Sequence, residues 1–133
     1  CDSRCLAAVT LRGSLRSHLR VTGKGHLLLT DSPTIAAPVA RPKPPRTVPP
    51  PGAWDSHAHV FGPADKFPYA EGRGYTPPDA PVERFIALLD NNGCDRGLIV
   101  QGNAHGYDNR VMLDALARFP QRLRGVAITG TRI

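Results

Sequence analysis

AWDSHAHVF, residues 53–61, is a short run rich in β-formers that stops at Gly62-Pro63, a pair that punctuates rather than continues an element. It predicts a strand. The long loop DKFPYAEGRGYTPPDAP (65–81) follows. Beyond it, Val82, Phe85, Ile86 and Leu89 fall at i, i+3, i+4 and i+7, the stripe of an amphipathic helix. Asp79 stands where it can cap that helix, Pro81 suits its first turn, and Gly93 fits the position just past its end. RGLIVQG (96–102) is an apolar run suited to a strand buried on both faces. After the loop AHGYDN (104–109), Met112, Leu113, Leu116 and Phe119 make a second helical stripe, stopped by Pro120. LRGVAIT (123–129) is a third strand. The order strand, helix, strand, helix, strand predicts an α/β fold with a parallel sheet and right-handed crossovers.

Upstream the character changes. The chain has 133 residues and a net charge of +6, and the excess is local. Residues 1–50 hold eight Lys/Arg against two Asp/Glu, whereas residues 51–133 hold nine of each. Basic charge confined to a tail does not describe a nucleic-acid-binding domain. Residues 1–30 are rich in Arg and Ser, with no apolar run long enough for a signal peptide core or a membrane span. Residues 33–51 contain eight prolines, so they are extended and act as a stiff lead-in. RPKPPR (41–46) also has the PxxP spacing of a ligand for Pro-binding modules, a motif frequent by chance. The division is a disordered, basic and Pro-rich extension over 1–48 and a structured domain over 49–133. Three cysteines without CxxC spacing do not make a disulfide framework. That count fits a reducing, cytoplasmic setting.

His57 and His59 are the residues with chemistry to offer. Side chains alternate along a strand, so simple counting puts Asp55, His57 and His59 on one face. An HxH pair can be a metal or catalytic site, or two solvated histidines in register.

PPPGAWDSHAHVFGPADKFPY, RGYTPPDAP, GLIVQGNAHGYDN and LDALARFPQRLRGVAI, taken together, resemble the N-terminal part of the amidohydrolase-related lactone hydrolases. The branch they look most like is that of the 2-pyrone-4,6-dicarboxylate hydrolases. The resemblance runs over residues 49–128 and leaves residues 1–35 outside it. It implies a TIM-type (β/α)8 barrel, which takes about 250 residues. The matched segment supplies two βα units and a third strand, so the expectation is the front of a barrel and a chain inactive alone.

The resemblance also implies roles. His57 and His59, near the C-terminal end of the first strand, would assist at the substrate of a lactone hydrolysed by activated water. The base, an Asp on the last barrel strand, has no counterpart here, and Asp55 lies too deep to replace it. Tyr75 aligns with a tyrosine that contacts substrate, though it could equally pack the loop. Asn103 and His105 are further candidates for substrate contact, His105 having a loop hydrogen bond as its alternative. Asn109 is read as a helix cap. Asn103 departs from the serine usual in the pyrone-dicarboxylate branch, and QGNAH looks equally like the galactarolactone isomerases. A sugar-acid lactone isomerase therefore stands beside the hydrolase, as does a non-enzymatic fragment whose Pro-rich segment binds a partner. The partner expected is a small carboxylated lactone, with neither nucleic acid nor membrane. No cofactor is expected; His57 and His59 would be ligands only if a divalent metal such as zinc were bound, since zinc needs three or four protein ligands.

Overall fold

A computed structural model describes residues 32–130. Three strands, β1 (Trp54–Ala58), β2 (Arg96–Val100) and β3 (Leu123–Val126), lie in the order β1-β2-β3, and both pairs are parallel. Helix α1 (Val82–Asn92) connects the first two and α2 (Arg110–Arg118) the last two. Parallel strands need such crossovers, and the crossovers cover one face of the sheet.

That covered face holds the core. Val82, Phe85 and Leu89 of α1 and Val111, Met112 and Ala115 of α2 pack with Val60, Ile99 and Leu123. Leu89, Ile99 and Leu123 are fully enclosed, each burial worth about 1.5–3 kcal/mol. Close approach of helix to strand requires Gly97. A Cβ there would stand 2.5 Å from the Phe85 ring and 3.2 Å from Leu89. The α1 stripe matches its spacing, with Ile86 half-buried beside it. The α2 stripe is turned by one position: Val111 and Ala115 are buried, whereas Leu113 is 56% exposed.

The helix ends differ from expectation in one respect. Gly93 closes α1 in the left-handed region at φ 70°, its N–H reaching back to Asp90 and Leu89. At the other end the N-cap residue is Pro81, and among the described residues no side chain caps the helix. Asp79 instead accepts a hydrogen bond from the Tyr69 hydroxyl at 3.2 Å. The tyrosine offers it an O–H donor, so the carboxylate is drawn into the β1–α1 loop rather than onto the helix.

At the N-terminal end of the strands Arg122 is a brace. Its guanidinium donates to Asp90 Oδ1 at 2.8 Å and to the Cys94 and Asp95 carbonyls, locking the α1–β2 turn to the start of β3. Residues 36–48 form no helix or strand, and Val39 and Val48 are exposed. Residues 32–35 are tied down: Ser32 Oγ donates to Arg73 O at 2.7 Å, and Thr34 bridges Thr76 in parallel. The Arg- and Ser-rich stretch 1–30 lies outside the described residues. Among the described residues no helix is long and apolar enough to cross a membrane.

Candidate functional site at the C-terminal ends of the strands

The histidines owe their orientation to an irregularity. Asp55 pairs with Gly97 and Ala58 with Ile99, so three steps along β1 span two along β2. This is a β-bulge, which shifts the alternation by one residue. Gly97 and Ile99 face the helices, and residues paired in parallel share their partner's face. Asp55 and Ala58 therefore lie on the helix side, with Val60 buried in the core. His57 and His59 point to the opposite, uncovered face. Asp55 thus does not share a face with the histidines; simple counting fails because the bulge inserts one residue. Its Oδ1 accepts a hydrogen bond from the His57 main-chain N–H at 3.2 Å.

On the uncovered face the two imidazoles meet edge to face, centroids 5.0 Å apart. His59 Nδ1 lies 2.8 Å from the Val100 carbonyl oxygen. A carbonyl only accepts, so Nδ1 carries the proton and Nε2 of the neutral ring keeps a free lone pair. The end of β2 thereby fixes the tautomer of a residue at the end of β1.

Behind the pair lies an aromatic tier. Phe61 sits 5.9 Å from His59, 6.1 Å from His105 in a stacked arrangement, and 6.4 Å from Tyr75 edge-on. It presses against Gly102, where a Cβ would come within 2.4 Å of the ring. Tyr69 contacts His105 from another side, at 4.8 Å. Burial and the neighbouring Asp79 carboxylate push the Tyr69 hydroxyl up to about 12.

His105 is enclosed, only 3% exposed. Its Nδ1 donates to the Pro68 carbonyl at 3.2 Å, and its buried Nε2 has no hydrogen-bond partner among the described residues. Burial lowers its pKa, which favours the neutral ring. The bond to Pro68 ties the β2–α2 loop to the β1–α1 loop, 37 residues earlier in the chain. Tyr75 is half-buried, its hydroxyl raised by burial and lowered less by the Ala104 amide. Asn103 is exposed on the short 3-10 turn Asn103–His105. Asn109 occupies the N-cap position of α2 but makes no capping bond. Its side chain instead clasps Ile128, Nδ2 donating to the carbonyl at 2.9 Å and Oδ1 accepting from the N–H at 3.0 Å.

The structure thus brings His57 and His59 together and sets Tyr75 and His105 against Phe61, while Asn103 stands on the neighbouring rim. Sequence reasoning passed over Phe61 and Gln101. The i+2 spacing of Phe61 from His59 was the available signal. A glutamine ending an apolar strand was the other: Gln101 is 3% exposed, and its Nε2 holds the Asp108 carbonyl at 2.9 Å. Among the described residues no group of three or more His, Cys, Asp or Glu could hold a metal. Two imidazoles alone do not make a zinc centre.

A parallel sheet opening on a histidine pair at its C-terminal rim can be compared with known proteins. The model of the amidohydrolase family matches residues 54–131. The chain belongs to that family. It is 50% identical over 94 residues to a 4-sulfomuconolactone hydrolase of Rhizobium radiobacter, which covers 71% of this chain and 31% of that protein. It is 47% identical over 88 residues to a 2-pyrone-4,6-dicarboxylate hydrolase of Comamonas testosteroni, covering 66% of this chain and 29% of that protein. The chain therefore spans less than a third of the curated relatives it matches. Among solved structures it resembles a probable 2-pyrone-4,6-dicarboxylic acid hydrolase of Acinetobacter baumannii with citric acid bound. There the TM-score is 0.56 at 35% identity, over 59% of this chain and 29% of that one. An apo structure from Agrobacterium tumefaciens gives a TM-score of 0.56 at 33% identity, over 64% and 31%. The fold is the opening portion of a (β/α)8 barrel.

Proposed function

We propose that this amidohydrolase segment forms the first-strand and second-strand part of a site that hydrolyses an anionic lactone. The observation that carries the proposal is the His59–Val100 hydrogen bond beside His57. It presents one imidazole in a defined tautomer on the uncovered face, at the end of the sheet where barrels of this kind do their chemistry. The names of the relatives give the substrate class, a lactone carrying sulfo or carboxylate groups.

In the reaction, water adds to the ring carbonyl, negative charge grows on its oxygen, and the ring C–O bond breaks to give a carboxylate and a hydroxyl. His57 and His59 assist at that carbonyl and at the departing ring oxygen, by hydrogen bonding or proton transfer. Tyr75 and Asn103 contact the substrate from the loops, and His105 supports the Tyr69–Phe61 tier behind them. The base that activates water comes from the remaining strands of a complete barrel.

The test is a chimera in which residues 49–130 replace the matching part of the R. radiobacter hydrolase. His57→Ala or His59→Ala should lower its kcat/KM by about 10²-fold or more, the usual scale for losing an acid–base or oxyanion partner. Full activity in both variants would return the pair to a structural role. A rearranged lactone as product, in place of the open acid, would assign the isomerase reaction that the QGNAH motif keeps in view.

A further inference from the structure

A second cleft on the same rim is not accounted for by the histidines. Its volume is about 260 Å³, and Asn103, Gly106, Tyr107 and Ile128 line it. The first three come from the β2–α2 loop and the last from the chain leaving β3, so it opens between two neighbouring strand ends.

Three observations mark it as a built feature. Its far wall is fixed: the Asn109 side chain holds Ile128 by both main-chain groups and also donates to the Tyr107 carbonyl at 3.1 Å. The Asn109 side chain gives helix α2 no capping bond and instead sets the two lips of the cleft. Tyr107 is 72% exposed, yet its ring is backed by the chain at Gly130, where a Cβ would stand 3.6 Å away. The Asn103 side-chain amide makes no hydrogen bond to any described residue and is exposed at the mouth. The lining residues of the cleft carry an N–H₂ donor, on Asn103, and an O–H donor, on Tyr107, with no charged side chain among them.

Strands lie about 4.8 Å apart, which sets the cleft one to two strand spacings from the histidines on β1. A lactone ring whose carbonyl meets His57 and His59 would carry a substituent to this position. We infer that the cleft is a subsite for an anionic oxygen substituent of the substrate, carboxylate or sulfonate, with Tyr107 as a specificity-determining residue and Asn109 as the positioning residue. Neutral donors suit a group that must be recognised and then released, because they hold it by hydrogen bonds without an ion pair. This inference rests on the lactone hydrolase reading.

The experiment compares Tyr107→Phe with the parent in the same chimeric barrel, on a lactone bearing the anionic substituent and on its analogue lacking it. The phenylalanine keeps the ring against Gly130 and removes only the donor. The expected result is a KM raised about tenfold for the substituted lactone, the scale of one hydrogen bond to a charged group, with kcat within about twofold and the analogue unaffected. Equilibrium binding of the ring-opened product should weaken by a similar factor without any turnover. A parent chimera that opens lactones while Tyr107→Phe leaves both KM values and product binding unchanged would overturn the subsite alone. Equal losses on both substrates would overturn it too, by making the tyrosine structural. A folded parent that opens no lactone at all would overturn the hydrolase reading and the subsite with it.

Discussion

His59 and Val100 are joined across two neighbouring strands by a bond from imidazole Nδ1 to a main-chain oxygen, 2.8 Å long. The donor end is fixed by chemistry, since the oxygen cannot donate. Nitrogen-detected NMR of the histidine rings should show the neutral form of His59 with its proton on Nδ1 and Nε2 bare. A ring protonated on Nε2 alone would remove the basis for a directed lone pair.

Asn109 has two candidate duties that predict opposite outcomes for one substitution. Aspartate caps helices as well as asparagine does, so Asn109→Asp would be neutral if capping were the duty. The clasp on Ile128 needs the amide Nδ2. Without it, the carbonyls of Tyr107 and Ile128 lose their donor, and thermal or denaturant unfolding should show a loss of about 1–2 kcal/mol.

Gly97→Ala should cost about 1–3 kcal/mol, because the new methyl would press on the Phe85 ring at 2.5 Å. The partner substitution Phe85→Leu should recover part of that loss in a double-mutant cycle. Purely additive effects would show that the strand–helix approach is looser than the packing implies.

His105 supplies a pH dependence with a definite sign. Burial, the largest cause, lowers its pKa in the folded protein, against smaller opposing effects of Pro68, Asp108 and Asp79. The unfolded chain then binds more protons below about pH 6.5, the ordinary histidine value. Stability is complete above that pH and is lost as pH falls toward the depressed folded value. Melting temperatures of the parent should therefore drop more than those of His105→Gln between pH 7.5 and pH 5.5, both figures being about one unit either side of that value.

Tyr69 behaves in the opposite sense, its hydroxyl held up to about 12 by burial and then by Asp79. Stability tied to it is present below about pH 10, the ordinary tyrosine value, and lost as pH rises toward 12. In a spectrophotometric titration Asp79→Asn should bring its midpoint down, and an unchanged midpoint would mean that burial alone is responsible.

The helices and the parallel order were legible because they rest on periodicity. Val82, Phe85 and Leu89 are buried where the spacing put them, and Gly93 is left-handed where a helix end needs it. What periodicity does not encode was misread. Asp79 is drawn away from α1 by the Tyr69 hydroxyl, ten residues earlier in the chain, and Asn109 is drawn from α2 by Ile128, nineteen residues later. Both are polar residues with a local use and a tertiary use, and folding brought the tertiary partner within reach. Leu113 matched the α2 stripe, but smaller Val111 and Ala115 fit closer to β3 and took the buried positions. At the candidate site, the pairing of His57 with His59 follows from their spacing. The enclosure of His105 and the tier around Phe61 depend on loops whose paths no local pattern sets.

The bulge in β1 acts as a phase setting for the whole rim. With strict alternation from Asp55, both histidines would fall in step with it and turn into the helix layer, while Ala58 and Val60 would turn outward. Without Ser56, two steps along β1 would meet two along β2, giving a regular strand with Ala58 and Val60 still inward and both imidazoles still outward. The extra step of backbone, with no chemistry of its own, is what lets Asp55 and the two histidines of this sequence take opposite sides of the sheet.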